Sequence, residues 1–210
     1  MDRAKTFFTE TEKQKIEDAI RSVECCTIGE VAVVVTESSD HYREAEVLGA
    51  VSLSCFASLL LTVSYFHSSL WSFIPFGILF FFPFRILLSR VPALKMSLVG
   101  MKRKEAAVRE EALRAFYERG LYRTRKNTGL LFFLSLLEHK VWVLADKGIY
   151  EKIDQETLNG FARAVSMGIK RDSACDALCG AIRDAGEVLA KHFPLTPGDT
   201  NELSNEVITE

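Results

Sequence analysis

The sequence predicts an α/β fold: a three-layer α/β sandwich with a small mixed sheet, interrupted by a two-helix transmembrane hairpin. Three observations predict it. Apolar runs at 31–35, 129–136 and 141–145 have the length and continuity of buried strands. Amphipathic helical spacing lies before, between and after them. No Asp, Glu, Lys or Arg falls within 47–84, although the 210-residue chain holds 26 Lys+Arg and 28 Asp+Glu. The net charge of −2 also argues against a general electrostatic nucleic-acid binder, which needs clustered excess positive charge.

The first element follows from Thr9-Glu10-Thr11-Glu12, a capping box with Thr9 as N-cap. Ile16, Ala19, Ile20 and Val23 continue it as an amphipathic helix over 9–24. Thr27-Ile28-Gly29-Glu30 leads into the β-branched strand 31–35, and 36–40 is the polar loop at its C-terminal end. A helix starting near Tyr42 runs on into the uncharged window. Past that window, 99–120 reads as one long helix stopped by Gly120. The strands 129–136 and 141–145 are joined by a link short enough for a hairpin. Two helices follow, over 154–167 and 172–192, and Pro194, Pro197 and Gly198 end the last. A helical crossover between the first two strands makes them parallel; the hairpin makes the third antiparallel.

The uncharged window is too long for one ordinary span and suits two, over 47–66 and 70–88, with a turn at His67-Ser68-Ser69. Tyr65 and Trp71 flank the turn at headgroup level, and Arg85 can snorkel outward. Basic residues without an acid fill 85–104, so the positive-inside rule puts both flanks in the cytoplasm. Residues 1–12 carry no apolar segment of a signal peptide. The expected location is the cell inner membrane, with two spans and both termini cytoplasmic. A buried hairpin of a soluble helical protein is the competing reading, and eight Phe without a charged face oppose it. Ala50, Ser54, Ser58 and Thr62 form a small-residue stripe that suits packing on the second span, or contact with a second copy. The chain thus divides into a split α/β domain at 1–46 and 95–195, the hairpin at 47–91, and a tail at 196–210 with four acids and no Lys or Arg.

Chemistry-bearing residues gather at the predicted strand ends. Glu37 and Asp40 lie in the loop after the first strand, and Asp146 ends the third. Ligands of open α/β sheets favour the carboxyl ends of parallel strands, but an antiparallel third strand can keep Asp146 away from that loop. A divalent cation such as Ca²⁺ or Mg²⁺ would need several converging oxygens. Glu30 stands at the start of the first strand, where a salt bridge to Arg125 would be structural. Glu138 and His139 occupy the hairpin. Arg125, with Arg123 and Lys126, suits lipid headgroups or a solvated loop. Asp146, Glu30 and His139 are the catalytic candidates; Glu37, Asp40, Arg125 and Glu138 are the ligand-binding ones. The five cysteines fit a reduced compartment, and Cys175 and Cys179 make only two ligands on one helix face, so no metal is assigned.

Several motifs occur in a fixed order: Phe7-Phe8-Thr9, Thr27-x-Gly29-Glu30, Tyr42-x-x-Ala45, Thr124-Arg125-x-x-Thr128-Gly129, Glu138-His139-x-Val141, Asp146-x-Gly148-Ile149, Phe193-Pro194 and Asn201-Glu202-Leu203. In this order and spacing the chain resembles the TPM domain family, formerly a domain of unknown function and named for thylakoid and nematode members. In particular it resembles the bacterial membrane branch with a hydrophobic hairpin insert. The resemblance covers nearly the whole chain and implies an α/β sandwich. Family members include acid phosphatases, calcium binders, and accessory proteins of photosystem repair or receptor function, with no shared catalytic set. The chain departs from secreted members in lacking their signal peptide and C-terminal anchor, and reads Ser204-Asn205 where Pro-Asp is usual. Two functions follow as expectations: an accessory module that docks a protein partner, or a metal-assisted phosphomonoesterase. No phosphatase signature or Walker A loop is present to favour the second.

Overall fold

The computed structural model describes residues 3–65, 70–124, 126–196 and 202–209. The predicted turn at His67-Ser68-Ser69, Arg125, Pro197 and Gly198 lie outside the described residues. The element order is α1 (Arg3–Phe7), α2 (Glu10–Glu24), β1 (Glu30–Thr36), α3 (Arg43–Tyr65), α4 (Leu70–Arg90), α5 (Pro92–Leu98), α6 (Met101–Glu118), a 3-10 turn (Leu121–Arg123), β2 (Gly129–Ser135), β3 (Lys140–Ala145), α7 (Lys147–Tyr150), α8 (Gln155–Lys170), α9 (Ala174–His192) and β4 (Ile208–Thr209). The chain forms two compact units, 1–39 with 105–210, and 40–104.

In the first unit the sheet order is β3-β2-β1-β4. β1 pairs parallel with β2, from Glu30 opposite Gly129 to Thr36 opposite Ser135. β2 pairs antiparallel with β3, from Leu130 opposite Ala145 to Ser135 opposite Lys140. This is the predicted mixed sheet, and its period-2 alternation serves two cores. Val31, Val33, Val35, Leu130, Phe132 and Leu134 face Ile16, Ile20 and Val23 of α2 and Leu178, Ile182 and Leu189 of α9. Ala32, Val34, Leu131 and Phe133 face Val108, Ala112 and Phe116 of α6. β1 and β2 are buried at every position because helices cover both faces, which is why their sequences do not alternate. β3 is an edge, and every second residue of it is only half-buried.

Local chemistry sets the boundaries. Thr9 Oγ1 accepts from Glu12 N at 3.3 Å while Glu12 Oε2 accepts from Thr9 N at 2.9 Å, the predicted capping box. Gly120 has a left-handed backbone (φ 75°) just past α6, as its stop position required. The helix expected over 99–120 is α6, which starts at Met101 because Val99 is extended (φ −86°, ψ 122°) and Gly100 follows it; α5, just before that break, is an element the sequence did not announce. α8 closes in a Schellman arrangement: Ser173 N donates to Gly168 O at 3.0 Å and Asp172 N to Ile169 O at 3.3 Å, with Asp172 left-handed (φ 54°). α1, α7 and β4 carried too few residues to announce themselves. The C-terminal tail is more than a loop, since Ile208 and Thr209 pair parallel with Val34 and Val35.

In the second unit α3 and α4 form a helical hairpin. Ser58 Oγ donates to Phe73 O at 2.6 Å, and Gly49 sits where a Cβ would stand 2.9 Å from Leu88, so the two helices run antiparallel. Ala50, Ser54, Ser58 and Thr62 are all buried along α3. Their small side chains let the helices approach. Arg85 does not simply reach outward: its Nε lies 3.7 Å from Glu46 Oε1 of α3. α4 stays helical through Pro75 and Pro83. Both long helices are long and apolar enough to cross a membrane, and most of each apolar window faces outward.

Candidate functional site

The predicted residues separate into two groups at opposite ends of the sheet. Because β3 is antiparallel, Asp146, the residue just after it, lies beside the start of β2, with Asp146 N donating to Gly129 O at 2.8 Å. Gly129 in turn pairs with Glu30. Glu30 and Asp146 therefore share one sheet end, about 10 Å apart at two strand spacings. Glu37, Glu138 and His139 share the other. Asp146 and the strand-one loop do not converge, the outcome the antiparallel strand made foreseeable.

At the Glu30 end the loops knit together through hydroxyls. Thr27 Oγ1 donates to Phe193 O at 2.6 Å and accepts from Gly29 N at 3.1 Å. Thr128 Oγ1 donates to Ile28 O at 3.0 Å, and Thr124 Oγ1 accepts from Thr128 N at 2.9 Å. Glu30 is buried, and its Oε1 accepts from Glu202 N at 3.0 Å. Glu24, at the end of α2, accepts from Val31 N at 3.3 Å and from the Asn205 side-chain amide. Burial, then the charge of Glu30, push the Glu24 carboxyl up to about 7. Two acids thus hold the tail by accepting hydrogen bonds from it. Sequence reading missed Glu24, Glu202 and Asn205 as partners. The motif containing Glu202 was the one signal, and only the fold brings Glu202 to Glu30 and Asn205 to Glu24.

Asp146 caps α7: its Oδ1 accepts from Lys147 N at 2.7 Å. Its Oδ2 is shielded from solvent and has no hydrogen-bond partner among the described residues. A lone orphan oxygen is a poor start for Ca²⁺, which takes six to eight oxygens. Among the described residues no three His, Cys, Asp or Glu are grouped to hold a metal. This donor set does not fit a resident divalent cation. The salt bridge proposed between Glu30 and Arg125 falls on a residue outside the described ones.

At the opposite end Glu138 is buried and satisfied. Its Oε1 accepts from Ser39 N at 3.1 Å, its Oε2 accepts from Ser135 Oγ, and Ser39 Oγ lies 2.8 Å from Ser135 Oγ. The carboxylate holds the exit loop of β1 against the β2–β3 turn. His139, next in that turn, has a left-handed backbone (φ 51°) and an exposed ring. Glu37 is also exposed.

Asp40 belongs to the second unit. It pairs with Arg103, whose Nε also donates to Glu44 Oε1 at 3.0 Å, and whose guanidinium lies 5.4 Å over the Tyr42 ring. Burial works to raise the Asp40 carboxyl, but the hydrogen bond and charge of Arg103 outweigh it and hold it below the ordinary carboxylate range. Its role there is an ion pair. Cys175 and Cys179 are packing residues: burial drives the Cys175 thiol up to about 12 and raises Cys179 as well.

No family model matches the chain, and no curated protein is similar enough to count as a relative. A solved structure does match. The chain is similar to the NMR structure of the BA42 protein from the psychrophilic bacterium Bizionia argentinensis, with 19% identity and a TM-score of 0.61, over 97% of this chain and 96% of that one. At that identity the likeness is one of fold.

Proposed function

We propose that this chain is a membrane-anchored member of the TPM family that serves as a partner-docking accessory module on the cytoplasmic face of the inner membrane. The observation that carries the reading is the outer surface of α3 and α4. Phe56 is 62% exposed, Trp71 89% and Phe82 59%, and only 28% and 6% of the two apolar windows are buried. Water penalises an uncharged apolar surface of this extent, and lipid covers it. The catalytic candidates, by contrast, fall at two separate sheet ends: Glu30 accepts a hydrogen bond from the tail and Asp146 caps α7 at one, and His139 is exposed at the other. That placement favours docking over phosphomonoester hydrolysis.

Exposed Cys25 and Cys26 lie in the first unit and buried Cys175 and Cys179 are shielded, so native thiols report topology. A membrane-impermeant maleimide should label Cys25 and Cys26 in inverted vesicles and leave them unlabelled in intact spheroplasts. The chain should also stay in the membrane pellet at alkaline pH. Release into the soluble fraction overturns the anchor. A photoreactive residue at position 139 should crosslink to a discrete protein in native membranes, and its failure to do so overturns the docking role.

A further inference from the structure

The first unit carries a groove that shares only Ser135 and His139 with the candidate site described above. It lies between α1, the β2–β3 turn and the C-terminal end of α8, with a volume of about 780 Å³. That is within the size range of small-molecule sites. Its floor is apolar: Phe7, Leu134, Leu136 and Ile169. Thr6 and Ser166 add hydroxyls at the wall. Its rim is basic, with Arg3, Lys140 and Lys170 against the single carboxylate of Asp172. Glu105 engages Lys140 at 2.8 Å. Arg3 and Lys170 form no ion pair among the described residues. His139 and Asp172, two of the four described non-glycine residues with a left-handed backbone, border the groove.

Apolar floor and unpaired cations together specify a ligand. An apolar molecule would leave the cations unused. A bare anion would leave Phe7 and Ile169 half-covered. A molecule with one anionic head and an apolar tail satisfies both, and the arginine fork suits carboxylate or phosphate oxygens. We propose that this groove binds a small amphipathic anion, with its head between Arg3 and Lys170 and its tail on Phe7, Leu136 and Ile169. The site is independent of membrane anchoring, and its failure would leave that reading untouched.

The test uses the full chain in nanodiscs of zwitterionic lipid. Octanoate, octan-1-ol and octylammonium are titrated calorimetrically, with empty discs subtracted. Octanoate should bind saturably, with a Kd of roughly millimolar or tighter for a ligand of this size. Octylammonium should not bind saturably. Arg3 and Lys170 are exposed, so the double variant R3E/K170E keeps its fold, and it should weaken octanoate at least tenfold. Asp172→Asn should tighten it two- to threefold, and Ser166→Phe should abolish binding by filling the groove. Discs containing phosphatidylglycerol distinguish the source of the anion: unchanged octanoate affinity assigns the groove to a free anion, and a loss reversed in neutral discs assigns it to a lipid headgroup. Absence of saturable octanoate binding, equal affinity for octan-1-ol, or an unchanged affinity in R3E/K170E overturns the proposal.

Discussion

Glu24 makes the stability of the α/β unit fall as pH rises through neutrality. An exposed glutamate titrates at 4.5, whereas Glu24 in the folded unit is raised to about 7 by burial and by the charge of Glu30. The folded state therefore holds this proton more tightly than the unfolded state. Its contribution is fully present below pH 4.5 and lost as pH rises through about 7. At about 1.4 kcal/mol per pH unit the ceiling is about 3.4 kcal/mol. The carboxyl is only half-buried, and solvent screening reduces this to about 1.5 kcal/mol. Glu24→Gln removes the charge and keeps an acceptor for Val31 N. Urea titration of the disc-bound protein, followed by Trp142 fluorescence in a Trp71→Phe background, reads the unit containing β3. The parent should lose about 1.5 kcal/mol between pH 5 and pH 8. The Gln variant should be nearly flat over that interval and more stable than the parent at pH 8. Equal slopes in the two proteins, or a parent that gains stability over this range, would refute the assignment.

Glu138→Ala should destabilise the same unit by about 2 kcal/mol, because Ser39 N and Ser135 Oγ lose a charged acceptor; Glu138→Gln should recover part of this in the same titration. Gly129→Ala places a Cβ 2.5 Å from Leu121 O and 3.0 Å from Leu121 Cβ, both rigidly held, and should cost about 2–3 kcal/mol as a lowered urea midpoint. Ser58→Leu forces a large side chain into the buried seam beside Gly77 and should expose Cys55 differently, read as a changed rate of modification by a lipid-soluble maleimide. Thr9→Ala removes the capping box and should cost about 1 kcal/mol, with faster amide exchange in the first turn of α2.

Elements with strong periodicity were legible before any coordinates. The capping box at Thr9, the β-branched run of β1, the antiparallel β2–β3 hairpin and the paired apolar helices all follow from local chemistry. Short elements were not, because α1, α7 and β4 hold too few residues to show a period. The seven-residue α5, just before the break at Val99-Gly100, went unread for the same reason. The candidate site was legible only as a set of residue types. Glu138 and Asp40 carry the same carboxylate as a catalytic acid, and nothing in their neighbours along the chain distinguishes a latch from a reagent. Ser39 and Ser135 around Glu138, and Arg103 beside Asp40, make that distinction.

Composition and spacing were enough to establish two kinds of material in one chain, an uncharged doubled helix and a charged α/β lobe, because burial preference and periodicity are properties of neighbouring residues. Which acids meet, and which merely hold a loop, rests on contacts between residues far apart in the chain. Glu24 acquires its raised carboxyl only when folding buries the end of α2 beside Glu30, against the lowering hydrogen bonds from Val31 N and Asn205, and Asp146 is carried away from Glu37 by the direction of one strand. Electrostatics falls off with distance in space, and distance along the polypeptide does not report it.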